Sequence, residues 1–312
     1  MDYLLIIAGF AVLIAGAHYL VDGASGLAKR FNVPDLVIGL TIVAFGTSAP
    51  EMVVNIIATL NPATTDIALT NIIGSNMVNT YIILGFAAVV FPIRSHVSSR
   101  RFDMPLNLMA AVAVMLLLWG MGGEINRAGG FILLLFFVWF MTVVVRKAIK
   151  HPEEVVEEGF KPVRIWLALI MIVGGLGALI GGAQLIVPSA TRIAEAMGIS
   201  QSVIGLTIVA IGTSLPELAT SAVAAFKKNS DIALGNVLGS NIFNVFFILA
   251  TSSIIRPLPA YTNIFYDLGI TALGSLFILI AVYTNKSHKI TRFAGAVLLL
   301  TYIAYISWIL LK

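Results

Sequence analysis

The chain has 312 residues, 59% of them hydrophobic and 11% charged, with a mean hydropathy of +1.00. Soluble domains carry about a quarter charged residues, so this composition excludes a water-soluble globule and implies a polytopic protein in a lipid bilayer. The net charge of +4 is not the footprint of a nucleic-acid partner, because the basic residues sit in short loops between apolar runs. Cysteine is absent, which excludes a disulfide framework and thiol chemistry.

Met1-Asp2-Tyr3 lacks the basic segment that opens a signal peptide, so the first apolar run reads as a retained span. Runs long enough to cross a bilayer, about 20 residues each, fall near 3–22, 33–59, 67–92, 104–122 and 128–147. After a polar link they resume near 163–187, 199–226, 231–255, 264–284 and 292–311. The expected fold is an all-α polytopic membrane protein of ten transmembrane helices, five in each half.

Lysine and arginine orient the spans, because they concentrate in cytoplasmic loops. With the N-terminus outside, the inner loops hold Lys29, Arg30, Arg94, Arg100, Arg101, Arg146, Lys147, Lys150, Lys161, Arg164, Lys227, Lys228, Lys286, Lys289 and Arg292. Only Arg127, Arg192, Arg256 and Lys312 remain outside. Both termini are therefore expected on the extracytoplasmic side of a multi-pass cell-membrane protein.

Five spans per half require the second half to lie upside down relative to the first. Aligning 16–51 with 182–217 makes half of the positions identical, yet Lys29-Arg30 becomes Glu195-Ala196. The basic pair disappears where inversion would place it outside. The chain divides into a first repeat at 1–147, a cytoplasmic connector at 148–162 and a second, inverted repeat at 163–312. The acidic link within that connector, His151 to Pro162, is too short to fold alone. Gly174, Gly175, Gly177, Gly181 and Gly182 crowd one span, as close helix packing or a sliding interface requires.

The shared core of the two copies is GLTIVAFGTSAPE at 39–51 and GLTIVAIGTSLPE at 205–217. Each sets one carboxylate, Glu51 or Glu217, inside an apolar span. A charge at membrane depth costs several kcal/mol, so an intramembrane acid is a functional-site hypothesis by default. Inverted repeats with interrupted helices point to a substrate site at the midplane. Pro50 lacks an N–H and clashes with the carbonyl four residues back, so backbone oxygen near 44–47 is expected to be freed. Thr47 and Ser48 lie one helical turn before Glu51. Copy two offers the same set through Ala210, Thr213, Ser214 and Glu217.

Carboxylates, hydroxyls and carbonyls are hard oxygen donors, the ligand type of calcium, which takes six to eight oxygens. Two glutamates match its charge. Zinc and copper are disfavoured, because cysteine is missing and His18, His96, His151 and His288 do not cluster. A second motif follows each break, NIIGSNMVN at 71–79 and NVLGSNIFN at 236–244. Ser75 and Asn79, like Ser240 and Asn244, are i, i+4 neighbours on one helical face. Their repetition beside the carboxylate spans favours ion ligation over interhelical hydrogen bonding alone. Asn71, Asn76, Asn236 and Asn241 fit either role. Asp66 and Asp231 read as helix N-caps, and Asp35, Asp103, Glu124 and Asp267 as interfacial residues.

Over essentially its whole length the chain resembles the cation/calcium exchanger superfamily, in particular the prokaryotic sodium/calcium antiporters. GTSAPE at 46–51, GTSLPE at 212–217 and the paired Gly-Ser-Asn segments carry the resemblance. It implies a ten-helix fold in which Glu51 and Glu217 bridge calcium and sodium. Thr47, Thr213, Ser48, Ser214, Ser75 and Ser240 would add oxygens, with carbonyls from Ala44 and Ala210. It also implies that the first and sixth helices slide during alternating access. Some relatives carry aspartate where this chain has Asn244, including exchangers that cotransport potassium; asparagine there favours potassium independence.

The expected function is a calcium/sodium antiporter that extrudes calcium, with the two ions as substrates, no cofactor and no obligatory protein partner. A calcium/proton or other cation/proton antiporter is the alternative within transport, and a non-transporting scaffold the alternative outside it. An enzyme has no support, because no nucleotide motif or nucleophile constellation is present.

Overall fold

The computed structural model describes residues 1–61, 65–150, 163–198 and 210–311, and they are almost entirely helical. The helices are α1 (Asp2–Phe31), α2 (Asp35–Thr47), α3 (Ala49–Leu60), α4 (Ile67–Val90), α5 (Ser99–Gly120) and α6 (Arg127–Ile149). They continue as α7 (Ile165–Ala196), α8 (Ala210–Thr213), α9 (Leu215–Phe226), α10 (Ser230–Ile255), α11 (Ile264–Thr284) and α12 (Arg292–Ile309). Among the described residues eight helices are long and apolar enough to span a membrane, or nine if α2 and α3, bent by 46°, count as one span. The expected seventh span, 199–226, falls partly outside the described residues and is seen as α8 and α9. The link at 151–162 also lies outside them.

Two helices run well past their expected ends at 22 and 187. Apolarity fades at Asp22, but the residues beyond it are Gly23, Ala24, Ser25, Gly26, Leu27 and Ala28, all buried. Small residues read as neutral on a hydropathy scale yet pack well. Asp22 itself is paired, its Oδ1 2.5 Å from Lys227 Nζ. At the other end of α1, Asp2 pairs with Arg192 near the end of α7 at 2.5 Å.

α1 and α7 lie against each other through glycine. A Cβ at Gly16 would sit 2.8 Å from the Gly175 carbonyl oxygen, and one at Gly182 would sit 2.8 Å from that of Gly9. In lipid no hydrophobic effect draws helices together, so close backbone approach and the dispersion it allows must do so. Gly174, Gly177 and Gly181 meet nothing within 4 Å. Gly175→Leu is therefore expected to lower the midpoint of thermal unfolding in detergent, by overpacking of about 1–3 kcal/mol. Gly177→Ala should hold or raise it, since alanine is the better helix former.

The centre is built around α10, 94% of whose most apolar window is buried, and α4, at 78%. α2 seats on α10 through another pair of glycines. A Cβ at Gly235 would lie 2.9 Å from the Leu36 carbonyl oxygen, and one at Gly239 2.6 Å from Ala44 Cβ. This contact brings the broken segment beside Asn236 and Ser240. Both central helices switch to π-helical turns over matching segments, Val78–Ile83 and Asn244–Leu249.

Four two-residue strands close the helix ends: β1 (Ile93–Arg94), β2 (Glu124–Ile125), β3 (Leu258–Pro259) and β4 (Lys289–Ile290). β1 pairs antiparallel with β4, Ile93 opposite Ile290, and β2 with β3, Ile125 opposite Leu258. Each ribbon thus joins one strand from each half of the chain. Beside the β2–β3 ribbon, Asp267 accepts hydrogen bonds from the Tyr261 and Tyr305 hydroxyls. Burial and the adjacent carboxylate push the Tyr261 phenol above its ordinary range.

Of the four expected interfacial acids, Glu124 is exposed and Asp267 half-buried, but Asp35 and Asp103 are deeper than their sequence context suggests. Asp35 is fully buried, where Asn229 Nδ2 donates to its Oδ2 at 2.7 Å, and Asp103 is also buried. The residue that caps α10 is Asn229, which accepts from Ile232 N at 2.9 Å. Asp231 lies in the first turn, 3.1 Å from His96 Nε2, rather than at the cap. The side chain of Asp66 is outside the described set.

Candidate cation site

Each broken span has the same anatomy. α2 ends at Thr47, Ser48 leaves helical geometry with φ −81° and ψ 7°, and α3 restarts with Pro50 in its first turn. Ser214 does the same between α8 and α9, with φ −90° and ψ 10°, ahead of Pro216. Proline fits a helix start because its missing N–H has no intrahelical partner there. Glu51 and Glu217 consequently fall in first turns, where the helix dipole favours negative charge. Both are 1% exposed.

The break re-aims the serines. On a continuous helix Ser48 would share a face with Glu51. Instead Ser48 Oγ donates to Oε1 of Glu217 at 3.0 Å, and Ser214 Oγ donates to Oε1 of Glu51 at 3.2 Å. Each half's hydroxyl thus serves the other half's carboxylate. Ser75 Oγ adds a weak 3.5 Å contact to Glu51 Oε1. The second oxygens, Glu51 Oε2 and Glu217 Oε2, are buried without a hydrogen-bond partner, as are Asn79 Oδ1 and Asn244 Oδ1. Four oxygens that can only accept are thereby left without donors. Buried polar atoms are normally paired, and a cation is the partner such acceptors suit.

The remaining sequence-expected groups fall around this centre. Thr47 is fully buried, and its hydroxyl lies 3.0 Å from Asn236 Oδ1 and 3.3 Å from the Ala44 carbonyl. The Ala44 carbonyl also accepts from Ser48 N at 3.0 Å, so it is not left free. The Gly46 carbonyl, four residues before Pro50, likewise accepts a backbone N–H where the helix ends. Thr213 is half-buried and lines a cleft of about 380 Å³ between α3, α7 and α8, walled by Pro50, Val53, Ala183, Gln184 and Pro188. Ser240 is fully buried on α10, one turn before Asn244. Ala210 starts α8.

Around the carboxylates Asn71 and Asn236 bond to two polar side chains that sequence reading left out, Asn55 and Ser221. Asn236 Nδ2 donates to Ser221 Oγ at 2.9 Å and to the Glu217 carbonyl at 3.2 Å. In the first half Asn71 Nδ2 donates to Asn55 Oδ1 at 2.7 Å, and Asn55 Nδ2 to the Ala68 carbonyl at 3.1 Å. Asn55 and Ser221 each follow a glutamate by one helical turn, a spacing present in both copies that could have flagged them. Asn71 and Asn236 thus turn their amides to neighbouring side chains and backbone.

Comparison with known proteins places the whole chain in sequence and in fold. Residues 1–146 and 167–311 match the family model described as sodium/calcium exchanger protein. The chain is 36% identical over 311 residues to the putative antiporter CaxA of Alkalimonas amylolytica, covering 96% of each chain. It is 32% identical over 349 residues to the sodium/calcium exchanger MaX1 of Methanosarcina acetivorans, covering 98% of this chain and 97% of that one. A solved structure of the sodium-calcium exchanger NCX_Mj, soaked with 100 mM Na+ and 10 mM Sr2+, superposes with a TM-score of 0.84 at 31% identity, covering 98% and 97% of the two chains. The same exchanger soaked with 10 mM Na+ and no Ca2+ gives a TM-score of 0.82 at 29% identity, covering 98% of each chain. With matches along its whole length in sequence and in fold, the chain belongs to the sodium/calcium exchanger family of multi-pass membrane antiporters.

Proposed function

We propose that this protein exchanges calcium for sodium across the cell membrane by alternating access, carrying calcium outward. Glu51 and Glu217 bind either one calcium or sodium ions. Thr47, Thr213, Ser48, Ser214, Ser75, Ser240, Asn79 and Asn244 supply further oxygens. The Ala44 and Ala210 carbonyls complete the set, that of Ala44 by sharing an oxygen already hydrogen-bonded. The observation that carries this reading is the crossed pairing of Ser48 with Glu217 and Ser214 with Glu51, which leaves one oxygen of each carboxylate unpartnered.

The reading includes ten helices in two inverted repeats, 1–147 and 163–312, joined by a cytoplasmic connector at 148–162. Two observations support inversion. β1 and β3 occupy matching places in the two halves, as do β2 and β4, so the two ribbons are each other's counterparts. Long-range contacts also respect the expected sides. Asp22–Lys227, His96–Asp231 and β1–β4 join segments assigned to the inside, whereas Asp2–Arg192 and β2–β3 join segments assigned to the outside. The cleft beside Thr213 supports access from the outer side, with α1 and α7 as the pair that moves to close it.

Coupling follows from electrostatics. Two bare carboxylates at membrane depth are costly, so the empty site resists occlusion while a site holding one calcium or several sodium ions does not. The test is calcium-45 uptake into sodium-loaded proteoliposomes diluted into sodium-free buffer. Uptake that requires internal sodium is expected. Uptake driven by a pH gradient without sodium would replace this reading with proton coupling, and calcium uniport with no counter-ion would remove it.

A further inference from the structure

An asparagine ligand has two ends of opposite chemistry, and only its oxygen can face a cation. At Asn244 the structure fixes which end faces where, through a relay that starts at an atom of known polarity. The backbone carbonyl of Asn241 can only accept, and Asn76 Nδ2 donates to it at 3.2 Å. Asn76 is thereby held with its Oδ1 on the other side, where it accepts from Asn244 Nδ2 at 2.9 Å. With its nitrogen spoken for, Asn244 turns Oδ1 away from Asn76, and that oxygen is buried with no protein donor. Asn76 is 5% exposed and Asn244 fully buried, so both amides are shielded from bulk solvent. The relay crosses from α10 to α4 and back, just where α10 changes to π-helical turns at Asn244.

The repeat offers no equivalent lock on the other side. Asn241 matches Asn76 in the second copy of the motif, but its Nδ2 donates to Thr80 Oγ1 at 3.0 Å. The arrangement at Asn244 is therefore a feature of one half and not a by-product of the repeat.

We propose that Asn76 is a positioning residue that holds Asn244 oxygen-first toward the ion and requires position 244 to be a neutral donor. A carboxylate at 244 would set an oxygen against Asn76 Oδ1. Rotating Asn76 to meet it would place Oδ1 against the Asn241 carbonyl instead. One repulsive contact between buried acceptors remains either way, at the full cost of an unmade buried bond. Asn76 thus keeps the fixed charge of the site at the two glutamates, which one divalent cation neutralises. The inference rests on Asn244 being an ion ligand.

The test measures calcium KM and kcat in proteoliposomes, with the folded fraction monitored by size-exclusion chromatography. Asn76→Ala, and Asn76→Leu, which fills the space without an acceptor, are expected to raise the calcium KM about tenfold, roughly one buried hydrogen bond, with kcat nearly unchanged. Asn244→Asp is expected to be more damaging with Asn76 present than in the Asn76→Ala background, a coupling that a double-mutant cycle isolates. A merely structural amide between helices would lower the folded fraction and leave KM alone. If Asn244→Ala raises KM while the Asn76 variants do not, the positioning role falls and the ligand reading stands. If Asn244→Ala also leaves KM unchanged, the ligand reading itself falls. Equal damage from Asn244→Asp in both backgrounds would overturn the requirement for a neutral residue.

Discussion

Glu51→Gln and Glu217→Gln are each expected to abolish sodium-dependent calcium uptake, by about two orders of magnitude or more. Removing one member of a buried, hydrogen-bonded charge set costs about 2–5 kcal/mol, and every 1.4 kcal/mol is tenfold in an equilibrium constant. Glutamine keeps the size of the side chain and an oxygen to accept from Ser214 or Ser48, so the fold should survive. What disappears is charge balance, since a divalent ion in a dry site then carries one uncompensated positive charge. The crossed serine bonds make the two glutamates near equivalents, so the two variants should fail alike. The double variant should be no worse than either alone. Calcium-45 uptake together with direct calcium binding in detergent checks this, and a single variant that retains uptake would remove that glutamate from the site.

Gly239→Leu is the second change with a large expected effect. The added side chain would begin 2.6 Å from Ala44 Cβ and 2.8 Å from the Leu40 carbonyl oxygen. Backbone cannot swing aside as a flexible side chain can, so α2 must move bodily. Overpacking of this kind costs about 1–3 kcal/mol, which thermal unfolding in detergent would register. The functional loss should exceed the stability loss, because Thr47 and Ser48 ride on the displaced segment. Their bonds to Asn236 and Glu217, both near 3.0 Å, have no slack to follow it. Uptake at or below a tenth of the wild-type rate is expected at temperatures where the variant remains folded. Gly269→Ala, with nothing within 4 Å of the new methyl, should be silent in both assays.

Much of this site was legible from residue chemistry. Glu51 and Glu217 stood out because an acid within an apolar span is costly to keep unless a counter-charge meets it there. Ser75, Asn79, Ser240 and Asn244 stood out because the same polar types recur at the same spacing in both halves. Partnership was not legible. Ser48 lies three residues before Glu51, and helical spacing pairs them, but the non-helical ψ at Ser48 aims its hydroxyl across the interface to Glu217. Backbone oxygen near 44–47 was expected to open at the proline, yet the Ala44 and Gly46 carbonyls both accept backbone N–H groups at the helix end, that of Ala44 from Ser48 N at 3.0 Å. Asn55 and Ser221 escaped notice because their residue types differ between the copies even though their positions match. The π-helical turns that begin at Val78 and Asn244 left no residue-type mark at all.

The crossed architecture has a consequence for the molecule at rest. Neither half owns a complete site: each carboxylate is dressed by the other half's serine, and each ribbon needs a strand from both. On the proposed reading an ion held there is also a clasp between two halves, and its binding energy adds to their cohesion. By mass action a ligand at a hundred times its dissociation constant stabilises the form that binds it by about 2.7 kcal/mol. On that reading the cargo would serve as mortar, and the carrier would be weakest in the moments between loads.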